Sequence, residues 1–461
     1  MIGNFNLKKV FDRALQGGGS FADLFFEERQ LVSITCEENK IERIIAGGER
    51  GIGLRAIVGD RTVYAHSSTV TEEKALDLAG RLNGVFQAQP GSAADDYRIS
   101  SPGRVFSIEC DPAGIGIPRK AEAVMRANER AWAYDGRIRQ VKVVYADRVQ
   151  RVVVANAEGR IAEETRIGTM FLVQVVAAAG NIIQTGYEPV GGIMGFELLD
   201  GDLPERVAET AARRAILMLE AEPAPGGAMP VVLSSEAGGT MVHEAVGHGL
   251  EADLAGEGLS VYTGKVGQRV AAEAITVVDD ATLPARRGSY AFDDEGTPGQ
   301  RTMLIDQGIL TGYMSDRLSK IRYGYPMTGN GRRESYRNHP IPRMSNTIIL
   351  PGQANPDDIL TETKTGLLVK KMGGGQVNTI NGDFVFEVSE GYLIENGRQG
   401  RPVRGATLTG NGPKVMLDID LVGSDLGYSL GTCGKDGQGV PVADAQPTIR
   451  IRQLVVGGEI R

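Results

Sequence analysis

The sequence predicts an α+β protein with an N-terminal region at residues 1–222 and a largely antiparallel β region at residues 223–461. Three observations lead to this prediction. Before residue 222, a helix, three strands and a second helix occur twice in the same order. The stretch EAEPAPGGAMP at residues 220–230 is rich in proline and glycine, as is typical of a boundary. The chain also holds 62 glycines, and recurring NG, GG and DG dipeptides indicate many tight turns between antiparallel strands.

The N-terminal region is interpreted as two α-β-β-β-α units, at residues 1–86 and 105–222. The first begins with the helix LKKVFDRALQ and ends with TEEKALDLAGRLN, and the second begins with RKAEAVMRANERAWAY and ends with LPERVAETAARRAILMLEA. Their apolar residues recur at helical spacing, and the segments between them have strand character. Residues 87–104 are expected to link the units, whose matching element order suggests an internal duplication.

The C-terminal region begins with the strand MPVVLSS, followed by one conspicuous helix around GGTMVHEAVGHGLEAD, residues 238–253. Most of the remaining chain alternates apolar and polar residues, as in RTMLIDQGILTGYMSD and FVFEVSEGYLIENGRQG. Turns are expected at residues 306–308 and 395–397, so these segments predict β-hairpins.

Composition narrows the functional classes. The net charge is -8 and no block of lysine and arginine stands out, so a nucleic-acid partner has no electrostatic support. No segment offers the roughly 18 uninterrupted apolar residues of a membrane span, and the N-terminus lacks the apolar core of a signal peptide. The three cysteines, Cys36, Cys110 and Cys433, are too few and too scattered for a disulfide framework. We therefore expect a cytoplasmic protein that does not bind membranes.

Two of the four histidines lie in the conspicuous helix, where Glu244 follows His243 and His248 lies five positions after it. Two histidines on one helix face bind a metal, and an adjoining glutamate serves as a base in HExxH metalloproteases. On a regular α-helix, however, residues five apart lie ~140° apart around the axis. A π-bulge or a kink would bring the rings together, and Gly247 and Gly249 make such a distortion easier. The residues alone leave open a metal site or two unrelated histidines.

A catalytic metal site needs a third protein ligand. The candidates are Glu251, Asp253, His339 and Cys433, and residue spacing does not choose between them. Glu251 and Asp253 could equally be solvated charges on the helix. Cys433 could be an incidental thiol in a glycine-rich loop.

Several segments together resemble the TldD subgroup of the TldD/PmbA metallopeptidase family: HEAVGHGLEAD, GIGLRAIVGD, DDEGTPGQ, HPIPRMSNT, GGGQVNTINGDFVFEVSEGYLIENG and GTCGKDGQGVPV. The resemblance implies a zinc-dependent peptidase in which His243, His248 and Cys433 bind Zn²⁺ and Glu244 is the catalytic base. The other subgroup of the family lacks this motif and acts as a non-catalytic partner. The resemblance therefore implies a homodimer, or a heterodimer with such a partner.

Three further stretches have both a functional and an ordinary interpretation. Gly373, Gly374 and Gly375 are expected either to lie close to the backbone of a bound peptide or to form a mobile turn. Asn346 is a candidate for a polar contact with substrate, or part of a turn that enters the next strand. The acidic residues 293–295 favour a solvated turn over a second metal site.

The leading hypothesis is thus a zinc peptidase that acts on peptides or unfolded protein segments. One alternative is a non-catalytic assembly protein with a structural zinc, but such sites normally have four protein ligands. Another is a zinc amidase with a non-peptide substrate, which would use the same metal chemistry.

Overall fold

A computed structural model describes residues 2–83, 91–100 and 106–458. The segment 87–104, predicted as a linker, lies partly outside these residues. Its described part includes the short strand Arg98–Ser100, which pairs in parallel with the strand Arg160–Ala179.

The predicted α-β-β-β-α order occurs twice in the N-terminal region, and both sets of strands belong to one sheet. The strands are β1 (Phe21–Glu37), β2 (Lys40–Val58), β3 (Arg61–Ser67), β4 (Arg98–Ser100), β5 (Ile138–Asn156), β6 (Arg160–Ala179) and β7 (Ile182–Gly192), and the helices are α1 (Leu7–Leu15), α2 (Glu72–Asn83), α3 (Ile117–Trp132) and α4 (Leu203–Glu220). The sheet order is β3-β2-β1-β5-β6-β4, with β7 also paired to β6. The antiparallel pair β1 and β5 therefore joins the two units.

The two faces of this sheet pack differently, because successive residues of a strand point to opposite sides. Leu24 and Ile34 of β1 belong to the apolar clusters formed with the four helices. Helix α1 shows how a helix matches this face, since it buries residues 7, 10, 11, 14 and 15 at helical spacing. Phe25 lies on the opposite face and packs against Tyr336 of the C-terminal region. One face is therefore covered by helices and the other by the C-terminal region.

The C-terminal region forms separate sheets of its own, and its first strand begins at Glu222, the last residue before the predicted boundary. Its strands are β8 (Glu222–Pro223), β9 (Gly227–Leu233), β10 (Val277–Asp280), β11 (Arg301–Asp306), β12 (Ile309–Leu310), β13 (Gly331–Arg332), β14 (Ile341–Pro342), β15 (Asn346–Ile349), β16 (Thr365–Val377), β17 (Asp383–Glu395), β18 (Arg398–Arg404), β19 (Thr407–Asn411), β20 (Ile419–Val422), β21 (Gly427–Lys435), β22 (Gln438–Gln446) and β23 (Ile449–Gly457). One sheet has the order β16-β9-β23-β19-β17-β18-β8, and an additional pairing of β16 with β17 closes five of its strands into a ring. A second sheet has the order β12-β11-β10-β15-β22-β21. Most of the pairs are antiparallel, and the fold class is α+β as predicted.

The helix predicted around the two histidines is present, but it is irregular, and other short helices accompany it. The region contains the short helices α5 (Thr240–Val242), α6 (Ala252–Gly256), α7 (Arg317–Tyr323), α8 (Pro356–Glu362) and α9 (Gly412–Asp418). The segment with the two histidines is an irregular helical stretch that starts at α5. Among the described residues, no helix is long and apolar enough to cross a membrane.

The acidic turn at residues 293–295 was predicted to be solvated, and this prediction was wrong. All three side chains are buried between the two regions. Asp294 Oδ1 lies 2.8 Å from an Arg166 nitrogen, and Glu295 Oε1 lies 2.7 Å from an Arg55 nitrogen. Asp293 accepts hydrogen bonds from the backbone N–H groups of Glu295 and Thr297. The turn is buried because arginines of the N-terminal sheet provide the counter-charges.

Candidate metal centre

The two histidines share one side of the helical stretch because its backbone is distorted between them. Residues His243–Gly247 form a π turn, in which His248 N–H donates to His243 C=O, and His248–Leu250 form a 3₁₀ turn. The imidazole centroids are 5.0 Å apart, with the ring planes nearly perpendicular. The structure thus confirms that a π-bulge corrects the five-residue spacing.

Both glycines of the motif are required by close packing. A Cβ at Gly247 would lie 2.1 Å from Met344 Sδ, and one at Gly249 would lie 2.7 Å from the Tyr262 ring. The Tyr262 hydroxyl donates to Ala245 C=O at 2.9 Å, and the Ser260 hydroxyl donates to Gly249 C=O at 2.5 Å. These bonds satisfy buried carbonyls in a segment where the regular α-helical pattern is interrupted.

Cys433 approaches the histidines from strand β21. One potential ligand atom from each of His243, His248 and Cys433 lies within 4.8 Å of the other two. The Cys433 Sγ to His248 Nε2 distance is 3.6 Å. Tetrahedral zinc with ordinary Zn–N and Zn–S bonds places these two atoms about 3.6 Å apart. The donor set and its spacing therefore fit a zinc ion.

Each histidine has a carboxylate close to its Nδ1 atom. His243 Nδ1 lies 3.1 Å from Asp444 Oδ2, at an angle away from ideal hydrogen-bond geometry, and His248 Nδ1 lies 3.1 Å from Glu251 Oε2. A proton held on Nδ1 leaves Nε2 as the ligating atom, as in the carboxylate–histidine–zinc arrangements of metal sites. This is a second observation that the residues fit a metal.

Burial and neighbouring charges shift the pKa values of Cys433 and of the two histidines. Burial alone would raise the pKa of the Cys433 thiol, but hydrogen bonds from His243 and His248 lower it to about 6. Burial would lower the pKa of His248, but the Glu251 charge and the Cys433 side chain raise it to about 10. Burial would likewise lower the pKa of His243, but the nearby Asp444 charge raises this pKa well above its usual value. Metal binding would release such protons, because the ligands are then neutral imidazoles and a thiolate.

The four candidates for the third ligand are now separated by position. Cys433 lies in one cluster with the two histidines, near Nε2 of His248. Glu251 instead contacts Nδ1, on the other side of the His248 ring. Asp253 pairs with Lys435 at 2.7 Å. His339 is exposed, and its ring lies 6.2 Å from the ring of Tyr64. The metal-ligand cluster formed within the described residues contains none of these three alternatives.

Glu251 is fully buried, and positive side chains compensate its charge. Lys435 Nζ lies 3.1 Å from Oε2, and Arg343 Nε lies 4.0 Å from Oε1. Burial would raise the pKa of Glu251, but the charges of Lys435 and His248 lower it to about 2. Arg343 also donates to Cys433 C=O and, at 3.1 Å, to Gln438 C=O. One group of charges thus connects the support of His248 with the hairpin that carries Cys433.

Glu244 lies in the π turn immediately after His243 and is half-buried. In the part of the chain that the structure describes, its carboxylate has no hydrogen-bond or ion-pair partner. The carboxylate is therefore free to contact a molecule that binds beside the two histidines.

The predicted substrate contacts have different outcomes. Asn346 is fully buried, and its amide group bonds to Gly288 N–H, Asp280 C=O and the Ser289 hydroxyl, which argues against contact with substrate. The glycines at 373–375 lie in strand β16 rather than in a mobile turn. A Cβ at Gly375 would lie 2.0 Å from the Phe386 ring, whereas one at Gly374 would meet nothing within 4 Å. Packing explains Gly375, and Gly374 remains open to an approaching backbone.

Asp444, Lys435 and Arg343 were not predicted from the sequence. Asp444 lies in the run VADA of strand β22, where the neighbouring alanines are buried. A carboxylate inside a buried strand needs a partner. That pattern is a signal that could have identified Asp444, but nothing in the sequence indicates which histidine it supports.

Comparisons with known proteins match the chain along most of its length. Models of PmbA/TldA metallopeptidase domains match at residues 22–82 (domain 1), 110–219 (central domain) and 226–458 (C-terminal domain). A Haemophilus influenzae protein named metalloprotease TldD homolog is 36% identical, covering 98% of this chain and 96% of its own length. A Saccharolobus solfataricus protein named zinc metalloprotease TldD homolog is 27% identical, covering 98% of this chain and 100% of its own length.

The fold is also found among solved structures. The crystal structure of TldE from Thermococcus kodakarensis has a TM-score of 0.77 and is 19% identical, covering 98% of this chain and 99% of that chain. At this level of identity the comparison concerns the fold alone.

Proposed function

The chain belongs to the PmbA/TldD family of metallopeptidases, and from that premise we propose that it hydrolyses peptide bonds in peptides or unfolded protein segments with the help of Zn²⁺. The observation that carries the proposal is the convergence of His243, His248 and Cys433 beside Glu244, which has no partner of its own among the described residues. Three protein ligands leave one position of a tetrahedral zinc open, whereas a structural site is normally closed by a fourth. The described residues supply a cluster of three, which favours catalysis over the structural-zinc alternative.

Each residue has a defined task in the proposed reaction. A zinc ion held by the three ligands would act as a Lewis acid on the peptide carbonyl and would lower the pKa of water toward ~7. Glu244 accepts a proton from the attacking water and delivers it to the leaving amine, so that the C–N bond breaks while the new C–O bond is retained. Asp444 and Glu251 keep Nε2 of the two histidines directed at the metal position.

The edge of strand β16 supports the binding of extended peptides. β16 pairs with β17 along most of its length, but with β9 only at residues 367–369. Within the described residues, the stretch 370–377 therefore has one edge without a strand partner, and β16 lies against the π turn of the motif. An extended peptide can add to such an edge through backbone hydrogen bonds, which read little sequence. We propose that access of unfolded segments, rather than a sequence motif, determines the specificity.

The dimer implied by the family resemblance stays part of the proposal. Ile44 and Ile45 of β2 are 47% and 46% exposed on the long β1–β2 ribbon, and such apolar surface is suited to a partner protein. Light scattering coupled to size-exclusion chromatography, with the protein alone, tests for the homodimer.

The decisive experiment compares Glu244→Gln with a control, Glu273→Gln, at an exposed glutamate of the same region. Glu244→Gln should retain about one zinc per chain, because the three ligands are intact, and should lose at least about 100-fold in cleavage of a peptide library. The control should match the wild type in both measurements. A near-normal rate for Glu244→Gln would show that this residue is not the base.

The substrate proposal has its own test. One protein is offered to the enzyme at equal concentration in folded form and in denatured form. Cleavage should be confined to the denatured form and should occur at many sequences. Equal cleavage of both forms would reject the proposed role of access.

A further inference from the structure

A cavity of about 310 Å³ lies between the N-terminal sheet and the hairpin β21–β22, apart from the metal ligands. Four arginines line it: Arg29, Arg148, Arg166 and Arg287. Pro441 of β22 also contributes to its wall. We call this space the arginine cavity.

The register of the sheet gathers three of these arginines on one face. Arg148 of β5 lies opposite Leu31 of β1 and Gly168 of β6. Arg29 and Arg166 lie on the same two neighbouring strands, two residues away from Leu31 and Gly168, and therefore on the same face. Gly168 also lines the cavity and has no side chain that could fill it.

Two of the arginines already have carboxylate partners. Arg29 pairs with Glu49 at 2.5 Å, and Arg166 pairs with Asp294 at 2.8 Å. Asp147, the single carboxylate among the lining residues, accepts hydrogen bonds from the Lys120 ammonium and the Tyr145 hydroxyl. Among the described residues that line the cavity, no carboxylate is therefore left to pair with the other two arginines.

Arg148 and Arg287 have no ion-pair partner within residues 2–83, 91–100 and 106–458. Arg287 donates to Gly431 C=O at 3.1 Å and to the Thr432 hydroxyl at 3.3 Å, both of them uncharged groups. Both side chains are half-buried. As far as the structure describes the chain, the cavity thus holds two positive charges without ion-pair partners, in a place that is partly shielded from water.

The electrostatics agree with this arrangement of charges. Burial, followed by the charges of neighbouring arginines with Arg287 foremost, lowers the pKa of Arg148 to about 9, against an opposite effect of Glu27. Burial and the charge of Arg332 lower the pKa of Arg287. Both shifts are in the direction that an excess of positive charge produces, and an anion would reverse them.

We propose that the arginine cavity binds a small oxyanion group, either a carboxylate or a phosphate, carried on an apolar body. Guanidinium groups match both oxyanions through paired hydrogen bonds. The remaining lining is largely apolar and includes Leu31, Ile167, Met170 and Ile193. The volume is at the lower end of the range for small-molecule sites, so the body is a small one.

This site is distinct from the metal centre, although the two share a hairpin. Thr432 pairs with Pro441, and Cys433 pairs with Val440. Side chains of adjacent strand residues point to opposite faces, so Cys433 faces the metal position while its neighbours Thr432 and Pro441 face the arginine cavity. Anion binding here does not depend on the proposed peptidase reaction.

Isothermal titration calorimetry with the zinc-loaded full-length protein, at constant chloride concentration, tests the inference. The probes are inorganic phosphate, N-acetylleucine and its neutral amide, N-acetylleucinamide. One of the two anions, or both, should bind with a saturable isotherm, and the amide should not. Tighter binding of N-acetylleucine identifies a carboxylate ligand, and tighter binding of phosphate identifies a phosphate ligand.

The variants Arg148→Met and Arg287→Met should each weaken anion binding at least about tenfold, because each removes a charged hydrogen-bond donor. Arg269→Met is the matched control, since Arg269, like Arg287, donates only to uncharged groups but lies outside the cavity, and its binding should equal that of the wild type. Arg287 provides the test independently if Arg148→Met does not fold. Absence of saturable binding to the wild type, or unchanged binding in the variants that fold, overturns the inference.

Discussion

The packing of Gly247 against Met344 predicts a specific defect in the variant Gly247→Ala. The new Cβ would lie 2.1 Å from Met344 Sδ and 3.0 Å from its Cε, whereas non-bonded heavy atoms normally stay roughly 3.5–4.0 Å apart. Met344 is fully buried, so its side chain cannot turn into solvent. Such overpacking typically costs about 1–3 kcal/mol, and the gain of alanine over glycine in a helix offsets at most ~1 kcal/mol. We expect the free energy of unfolding to fall by about 1–2 kcal/mol.

The same change should also weaken zinc binding, because His248 directly follows Gly247. A displacement of the turn by ~1 Å would misplace one ligand, and errors of that size are sufficient to impair a site about 100-fold. Urea unfolding gives the stability, and competition with a chelator gives the zinc affinity. Both should decrease together in Gly247→Ala.

A double-mutant cycle identifies the cause. Met344→Ala alone should cost about 2–5 kcal/mol because it leaves a cavity, but Gly247→Ala should cost little in that background. The two changes should therefore deviate from additivity by more than the ~0.5 kcal/mol seen for independent sites. Additive costs would show that Met344 is not the reason for glycine at 247. Gly312→Ala is the control, since a Cβ there meets nothing within 4 Å.

Three further predictions concern single residues. Cys433→Ser should lose most of its zinc in metal analysis, because a serine hydroxyl stays protonated near neutral pH, whereas Cys110→Ser should retain it; full occupancy in Cys433→Ser would exclude the thiol as a ligand. Asp444→Asn should bind zinc about 10–100-fold more weakly in chelator competition, and unchanged affinity would exclude a supporting role. Burial and the charge of Glu295 raise the pKa of Asp316 to about 7, so the stability from its protonated form is complete below pH ~4 and is lost as pH rises through 7. Asp316→Asn should therefore reduce the pH dependence of the free energy of unfolding, measured in urea, between about pH 4 and 7, and an unchanged slope would contradict the assignment.

Periodicity was sufficient to predict the main elements of the N-terminal region, but not the short strand β4 within the predicted linker. The apolar spacing of α1 and the repeated helix and strand order follow from local rules, and the structure contains them. The distortion of the histidine turn was also predictable, because a spacing of five residues is incompatible with one face of a regular helix. In each case the relevant information lies within one short segment.

The errors arose where the answer depends on distant parts of the chain. Three consecutive acidic residues at 293–295 predict a solvated turn. In the folded protein, however, Arg55 and Arg166 of the N-terminal sheet neutralise their charges and allow them to be buried. Asn346 was a candidate for a polar contact with substrate, but the strands around it bury it in the folded protein. Sequence spacing could not indicate that Cys433, rather than Glu251, joins the two histidines in one cluster, since Cys433 is brought to them only by the folding of the β21–β22 hairpin.

Contacts between protein side chains hold the proposed metal ligands in place. Arg343 and Lys435 connect Glu251, the support of His248, to the hairpin that carries Cys433. On the adjacent strand of that hairpin, Asp444 faces His243. The hairpin therefore helps to orient both histidines and also carries Cys433. The three proposed ligands thus depend on one group of side-chain contacts, so a substitution that displaces the hairpin should disturb all of them together.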